Sequence, residues 1–288
     1  MGKLLERRKA VSRFGTHPGS GSVEHCTMES DVLGVNKEFS VYLPAGYEES
    51  GQSYPVLYLL HPAGGTHETW IKMGDAPQVA DDAIRSGMAV PMIIVLPDAS
   101  GTGEYHLGKR MGFFSVPGWD YERYFLTELV PLVESAYLTR AGRADRAIVG
   151  ASMGGEAAVA YAQKHPDLFG AACSLSGLLG HPEQSRMKET DKDYAASLAA
   201  NDPLARVNGA GPDDVEKWKN VRWYADCGDC DFFYEGNIDF FLAMKRKEIP
   251  VSYRMRSGVH NWYYWITGLG PILHFLSVGF SAPQERKD

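Results

Sequence analysis

Hydrophobic and polar residues follow two periods along the chain, one typical of strands and one typical of helices. Residues 38–44 (EFSVYLP) alternate singly, as in a half-buried edge strand, whereas 54–61 and 90–97 are nearly continuous apolar runs, as in strands buried on both faces of a sheet. Further strands are predicted at 145–151, 170–177, 222–228 and 251–258. Helical patterns lie between the strands, at 75–87, about 118–138, 152–165, 233–248 and about 261–277.

This alternation of strands and helices predicts an α/β fold with a mainly parallel central sheet and helices on both faces. Residues 178–220 break the rhythm, because ordinary connections are much shorter. The segment is too short and too polar to hold a core of its own. We therefore interpret it as a cap-like insertion over the carboxyl edge of the sheet, within a single domain that spans residues 30–288. Residues 1–29 are predicted to be an N-terminal arm, solvated and flexible.

Composition narrows the classes of partner. Hydrophobic residues make up 44% and charged residues 23% of the 288 residues, which is ordinary for a globular protein. A formal net charge of -7 argues against nucleic acid and against an anionic membrane surface. No apolar run is long enough to cross a bilayer. The N-terminus lacks the apolar segment of a signal peptide, so a cytoplasmic location is slightly favoured over secretion. The sequence does not fix whether the chain forms a homo-oligomer.

The stretch Gly-Ala-Ser-Met-Gly (150–154) carries the first candidate chemistry. It matches G-x-S-x-G between a predicted strand and an alanine-rich predicted helix. Exposing a serine hydroxyl at the top of a sheet requires a sharp, strained turn, and side chains two residues before or after the serine would collide there. Ser152 is therefore the candidate nucleophile. The alternative is an ordinary N-cap serine in a glycine-rich turn.

A nucleophilic serine of this kind needs a histidine base from a loop after a later strand. His165 lies at a predicted helix end, His181 lies in the insertion, and His274 lies inside an apolar helix. His260 directly follows the predicted strand 251–258, in the loop position that the chemistry requires. We therefore predict that His260 is the base.

The acid is expected after the predicted strand 222–228. Asp226, Asp229 and Asp231 all compete for this role, and spacing alone does not separate them. The same loop contains Cys227 and Cys230 in a C-x-x-C arrangement. No second pair of zinc ligands accompanies it, and the chain is not patterned as a small redox domain, so we interpret both cysteines as packing residues.

Four blocks together give a resemblance to a known family. They are residues 41–70, residues 92–100 (MIIVLPDAS), residues 148–177, and the pair CGDCDFF (227–233) with GVHNWYYW (258–265). The chain resembles the esterase D-like branch of the α/β-hydrolases over about residues 30–278. That branch includes the feruloyl and acetylxylan esterases of carbohydrate esterase family 1 and the S-formylglutathione hydrolases. The resemblance implies the α/β-hydrolase fold.

Carried over residue by residue, the resemblance implies that Ser152 is the nucleophile and His260 the base. It selects Asp231 as the acid, because the family places the acid three residues after the glycine matched by Gly228. It also implies an oxyanion hole formed by the backbone N–H groups of Ala63 and Met153.

One departure from the family pattern concerns the oxyanion loop. The family usually has glycine directly after the histidine matched by His61, and this chain has Pro62. Proline fixes φ and has no N–H, so the loop is expected to be stiffer or differently bent.

Trp70 and Trp262 are candidate substrate-binding residues that would form aromatic walls.

The sequence as a whole predicts a serine esterase that needs no cofactor and no metal. The resemblance favours feruloyl (cinnamoyl) or acetyl esters derived from plant polysaccharide, so the expected partner is a small-molecule or oligosaccharide ester. The alternatives are an S-formylglutathione hydrolase or general short-chain esterase, acyl transfer to a sugar hydroxyl, and an inactive carbohydrate-binding relative.

Overall fold

Nine strands form one sheet in the computed structural model, which describes residues 2–10, 19–101, 111–180 and 191–280. The strands are β1 (Lys3–Lys9), β2 (Ser22–Ser30), β3 (Val35–Leu43), β4 (Val56–Leu60), β5 (Ile93–Pro97), β6 (Arg146–Ala151), β7 (Ala171–Leu175), β8 (Arg222–Gly228) and β9 (Val251–Arg256). Their order across the sheet is β1-β2-β3-β5-β4-β6-β7-β8-β9.

The sheet has an antiparallel part and a parallel part. β1, β2, β3 and β5 pair antiparallel in succession. From β5 onward, through β4, β6, β7 and β8 to β9, every pairing is parallel. Because the carboxyl ends of parallel strands meet at one edge, the loops after β4, β5, β6, β8 and β9 lie side by side. Ligands of such sheets bind at that edge.

Helices cover both faces of the sheet. They are α1 (Tyr47–Ser50), α2 (Thr69–Lys72), α3 (Ala76–Arg85), α4 (Tyr121–Tyr124), α5 (Val130–Ala136), α6 (Met153–Lys164), α7 (Lys192–Ala200), α8 (Pro203–Gly209), α9 (Pro212–Lys219), α10 (Tyr234–Arg246) and α11 (Trp262–Gly279). A π-helical turn, Phe125–Leu129, joins α4 to α5, and a 3₁₀ turn, Arg143–Asp145, precedes β6.

The alternation of side chains along a strand divides the core into two layers. In β4, Tyr58 and Leu60 pack in the layer that includes residues of α4 to α6 and of α8 and α10. Leu57 and Leu59 point to the opposite layer, which includes residues of α3 and α11. All five side chains of β4 are buried, as expected for a strand covered on both faces.

The α/β architecture and the seven predicted strands are confirmed, but two predictions about the N-terminal part are wrong. The strand predicted at 38–44 is interior rather than at an edge, because β2 and β5 pair with its two sides. The expected arm over residues 1–29 instead supplies β1 and β2, and Met28 of β2 is fully buried. The charged, exposed residues of β1 belong to the true sheet edge, where charge deters pairing with other chains.

The insertion predicted at 178–220 contains three short helices, α7, α8 and α9, in its described part. Its buried residues Leu204, Val207 and Trp218 belong to the core layer shared with α6 and α10. The segment thus adds to the domain core. Residues 181–190 of the predicted insertion lie outside the described residues. No helix among the residues described is long and apolar enough to cross a membrane.

Candidate active site

Ser152 lies in the sharp turn between β6 and α6, as its sequence motif predicts. Its φ is 55° and its ψ is −120°, a strained conformation for a residue with a side chain. A Cβ atom on Gly150 would collide with the backbone of Gly154, and one on Gly154 would lie 2.5 Å from the Leu60 carbonyl oxygen. Both glycines are therefore required for the turn, and α6 begins directly against the end of β4.

The structure brings Ser152, His260 and Asp231 into one hydrogen-bonded chain. The Ser152 Oγ lies 2.9 Å from His260 Nε2, and His260 Nδ1 lies 2.9 Å and 3.1 Å from the two oxygens of Asp231. An ionised carboxylate only accepts hydrogen bonds, so Nδ1 carries the proton and Nε2 is free to accept from the serine hydroxyl. This is the tautomer that a general base requires.

The three competing aspartates have different partners. Asp231 is buried, and besides His260 it accepts a hydrogen bond from the Phe233 N–H at 2.9 Å. Asp226 is fully buried in β8, where it pairs with the Arg256 guanidinium at 2.9 Å. Asp229 is exposed and accepts from the Gly258 N–H at 3.0 Å, which ties the acid loop to the base loop. Only Asp231 contacts His260 among them.

Three aromatic rings surround the His260 imidazole. Phe233 and Trp265 are buried and meet it edge-on, with ring centroids at 5.2 Å and 5.0 Å. Phe232 lies against it at 4.3 Å with an interplanar angle of 38° and is 54% exposed. Trp265 therefore packs against the imidazole from within the core. Neither Phe232 nor Phe233 was predicted as part of the site, although both directly follow Asp231 in the sequence.

The loop that carries Ala63 follows β4 and forms a tight turn. The Gly65 N–H donates to the Pro62 carbonyl at 3.0 Å, and Gly64 has a φ of +74°, which the third residue of a type II turn requires. Pro62 contributes only its carbonyl, so its missing N–H costs the turn no hydrogen bond. Met153 is the first residue of α6, where N–H groups have no acceptor within the helix.

His61 joins this loop to the residues that follow β5. The Ala99 N–H donates to His61 Nε2 at 3.0 Å, so the ring proton is on Nδ1 and faces the Pro62 carbonyl at 2.9 Å. Burial lowers the pKa of His61 to about 4, because the charged ring would lose its hydration. His61 is therefore a neutral histidine with both ring nitrogens occupied by backbone groups.

A buried polar cluster lies beyond this loop. Ser40 Oγ lies 2.7 Å from His67 Nδ1 and 2.8 Å from His25 Nδ1. Lys37, also buried, lies 3.6 Å from Asp98 and donates to the Ser100 carbonyl at 2.6 Å. Burial lowers the pKa of Lys37, and the neighbouring Asp98 opposes that shift. These contacts join β2 and β3 to the loops after β4 and β5.

One group among the described residues has the composition of a metal site. The ligand atoms of Glu38, His67 and Asp98 all lie within 4.8 Å of one another. The Lys37 ammonium group already places positive charge beside Asp98. The Ser152, His260 and Asp231 arrangement involves none of these groups, and independence from metals and cofactors stays a prediction.

The aromatic walls predicted from the sequence are only partly available. Trp70 is fully buried and donates its indole N–H to the Leu60 carbonyl at 2.9 Å, so the prediction that it contacts substrate is wrong. Trp262 is partly exposed and packs edge-on against Trp70, with ring centroids at 5.1 Å. Trp70 thus packs against Trp262 and holds its ring in place. Trp262 remains a candidate substrate-binding residue.

The remaining candidates lie apart from Ser152. His165 ends α6 and lies 3.0 Å from Glu122, while His274 is exposed on α11 and faces the Met88 carbonyl at 2.8 Å. His181 lies outside the described residues. Cys227 is buried as expected, but Cys230 is exposed, so its predicted packing role is wrong.

The insertion approaches the site through Tyr194 of α7. A Cβ atom on Gly112 would lie 3.0 Å from the Met153 sulfur and 3.4 Å from the Tyr194 ring. Gly112 therefore packs between Met153 and Tyr194 of the insertion. Tyr194 is buried there, so α7 packs against the same glycine as the predicted oxyanion donor Met153.

Comparisons with known proteins agree with the geometry. A family model described as "Putative esterase" matches residues 30–276. An endo-1,4-beta-xylanase/feruloyl esterase of Xylanibacter ruminicola is 32% identical over 231 residues, which are 78% of this chain and 30% of that protein. The S-formylglutathione hydrolase of Rattus norvegicus is 25% identical over 277 residues, covering 84% of this chain and 87% of that one.

A solved structure described as a ferulic acid esterase superposes with a TM-score of 0.84 at 37% identity, and the match covers 91% of this chain and 99% of that one. The predicted α/β-hydrolase fold is thereby confirmed. The chain spans less than a third of the length of the xylanase/feruloyl esterase.

Proposed function

The chain belongs to the esterase family, and we propose that it is a serine carboxylic ester hydrolase acting on feruloyl (cinnamoyl) or acetyl esters derived from plant polysaccharide. The observation that carries the proposal is the hydrogen-bonded chain from Ser152 through His260 to Asp231. The same three residue types in this geometry perform acyl transfer on unrelated folds.

Acylation follows from the positions of the three side chains. Ser152 Oγ attacks the ester carbonyl while His260 Nε2, 2.9 Å away, takes the hydroxyl proton. Asp231 stabilises the imidazolium that forms and holds its orientation. The N–H groups of Met153 and Ala63 are the donors for the oxyanion, each contributing about 3–4 kcal/mol in comparable sites. His260 then protonates the leaving oxygen, the alcohol departs, and the acyl group remains on Ser152.

Deacylation repeats the same chemistry with water. His260 Nε2 removes a proton from a water molecule, which attacks the acyl carbonyl, and Ser152 leaves with the returned proton. A sugar hydroxyl in place of water would give acyl transfer instead. Both outcomes use the same residues.

The choice of ester is supported by the relatives. The xylanase/feruloyl esterase and the ferulic acid esterase structure both exceed 30% identity, and both carry feruloyl ester hydrolysis in their names. The partly exposed Trp262 near His260 is suited to an aromatic acyl group or a sugar. Tyr194, beside Met153, supports a role for the insertion in selecting the acyl group.

A substrate panel tests the proposal. We expect turnover of methyl ferulate or acetylated xylan to exceed that of S-formylglutathione, with 4-nitrophenyl acetate as the general ester. A fluorophosphonate probe should label the native chain and leave Ser152→Ala unlabelled. A chain that is neither labelled nor active on any ester would be an inactive carbohydrate-binding relative, and the proposal would be wrong.

S-formylglutathione hydrolysis is the second candidate. It is supported by the rat relative, whose match extends over 87% of that protein's length rather than over one part of it. Preferential turnover of S-formylglutathione in the panel would establish this candidate in place of the first.

A further inference from the structure

Phe232 differs from the other rings around His260 in being exposed. Phe233 and Trp265 meet the imidazole edge-on and are 8% and 5% exposed, whereas Phe232 lies against it at 4.3 Å and is 54% exposed. Packing of the imidazole alone would be served by a buried ring. Most of the surface of Phe232 instead faces solvent beside the base.

Two more exposed apolar side chains flank the base in sequence. Val259 is 47% exposed and Tyr263 is 78% exposed, one residue before and three residues after His260. Single exposed apolar residues are ordinary on protein surfaces. Phe232, Val259 and Tyr263 all lie within three positions of the acid or the base along the chain.

The proposed chemistry determines which part of an ester lies near the exposed ring of Phe232. In the proposed mechanism His260 Nε2 protonates the leaving oxygen, which must come within about 3.2 Å of that nitrogen. The carbonyl oxygen must at the same time lie against the N–H groups of Met153 and Ala63. The alcohol portion of the ester is thereby placed beside the imidazole, and Phe232 is the exposed ring that contacts this imidazole.

We propose that Phe232, with Val259 and Tyr263, forms a subsite for the alcohol portion of the ester, and that it accepts the apolar face of a sugar ring. This inference rests on the proposed function and adds to it the part of the substrate that the base side recognises. Small-molecule sites commonly use exposed aromatic faces in this way, with polar groups fixing the orientation.

Two esters that share an acyl group isolate this subsite. Methyl ferulate and feruloyl arabinofuranose give the same acyl-enzyme, so the ratio of their kcat/KM values reports only the step in which the alcohol is present. We expect Phe232→Ala to lower kcat/KM for the sugar ester about five- to tenfold more than for methyl ferulate, as loss of an aromatic stacking contact predicts. Phe232→Trp should keep the wild-type ratio.

Tyr234→Ala is the matched control, because Tyr234 is an exposed aromatic residue two positions further along, at the start of α10, and its hydroxyl donates to Glu235. It should leave the ratio unchanged. If Phe232→Ala unfolds by circular dichroism, Phe232→Leu removes the ring and keeps most of the volume. If the panel selects acetyl esters, methyl acetate and acetyl xylose replace the feruloyl pair.

Equal losses on both esters would show that Phe232 only packs His260, and would overturn the subsite. An unchanged ratio would overturn it as well. Failure of the proposed function is distinct from these results, because it shows in the wild-type chain alone, which would either hydrolyse no ester and not react with fluorophosphonate, or prefer S-formylglutathione.

Discussion

His260 and His61 follow strands on opposite sides of β6, the strand that leads to Ser152, and each has a hydrogen-bond partner at both ring nitrogens. His260 is held between the Asp231 carboxylate and the Ser152 hydroxyl, two side chains that permit it to gain a proton. His61 is held between the Pro62 carbonyl and the Ala99 N–H. A proton on His61 Nε2 would face the hydrogen of Ala99, so this ring is fixed in its neutral form.

The difference shows that hydrogen-bond partners determine what a histidine does. In the proposed mechanism a carboxylate compensates the positive charge that His260 acquires. Two backbone groups offer His61 no such compensation, and burial lowers its pKa to about 4. The partners of His260 suit it to the proposed proton transfer, and the partners of His61 hold the backbone that carries Ala63.

The largest expected effect is the loss of kcat when Ser152 or His260 is replaced. Ser152→Ala and His260→Ala should each lower kcat by about a millionfold, as in a comparable triad. The double variant should be hardly worse than either single variant, because both residues act in one step. Steady-state kinetics on 4-nitrophenyl acetate measure this, and losses that multiply in the double variant would contradict a shared step.

Asp231→Asn is expected to have the next largest effect. It should lower kcat by about ten-thousandfold with the fold intact, because an amide in place of the carboxylate favours the wrong tautomer of His260. Asp229→Asn is the matched control in the same loop and should cost far less. If Asp229→Asn caused the greater loss of kcat, the acid would be misassigned.

His61 should affect the pH dependence of the free energy of unfolding rather than proton transfer. The pKa of His61 is about 4 in the folded chain and about 6.5 in an unfolded one. Between these values the unfolded state binds the proton more readily, so the free energy of unfolding should fall by about 3 kcal/mol as the pH falls from about 6.5 to about 4. Below and above that window His61 contributes no further change.

Urea unfolding of the wild-type chain and of His61→Gln at pH 7 and pH 4.5 tests this expectation. Glutamine can accept from Ala99 without titrating, so the variant should lose less stability on acidification than the wild-type chain. Identical pH dependence in both proteins would show that His61 does not contribute.

The smallest effect concerns the insertion. Its helices supply buried residues to the domain core, so replacing the whole segment would disturb folding, and a point change is sharper. Tyr194→Ala beside Met153 should change the ratio of feruloyl to acetyl ester hydrolysis severalfold, a size typical of pocket contacts. Lys219→Ala on α9 is the control. An unchanged ratio with the fold intact would assign the segment a purely structural role.

Much of the parallel half of the sheet could be predicted from the sequence, because its signals are local. Continuous apolar runs such as 54–61 identify strands buried on both faces, and the G-x-S-x-G turn needs its glycines for reasons that lie within five residues. The antiparallel half was harder. The charged strand Lys3–Lys9 has an exposed, polar pattern that also suits a solvated arm, and only its pairing with β2 makes it part of the sheet.

The sequence by itself determined the strand–helix order, the strained position of Ser152 and the placement of His260 in a loop after a strand, since these follow from local sterics and periodicity. Spacing left Asp226, Asp229 and Asp231 equivalent, and the resemblance to a family was needed to prefer Asp231. Only the tertiary structure shows Arg256 paired with Asp226 and His260 with Asp231. It also shows that Trp70 is buried, that Phe232 is exposed and that His61 is held neutral by the Ala99 N–H. Each of these depends on partners brought together by the sheet from distant parts of the chain, and the local pattern does not identify those partners.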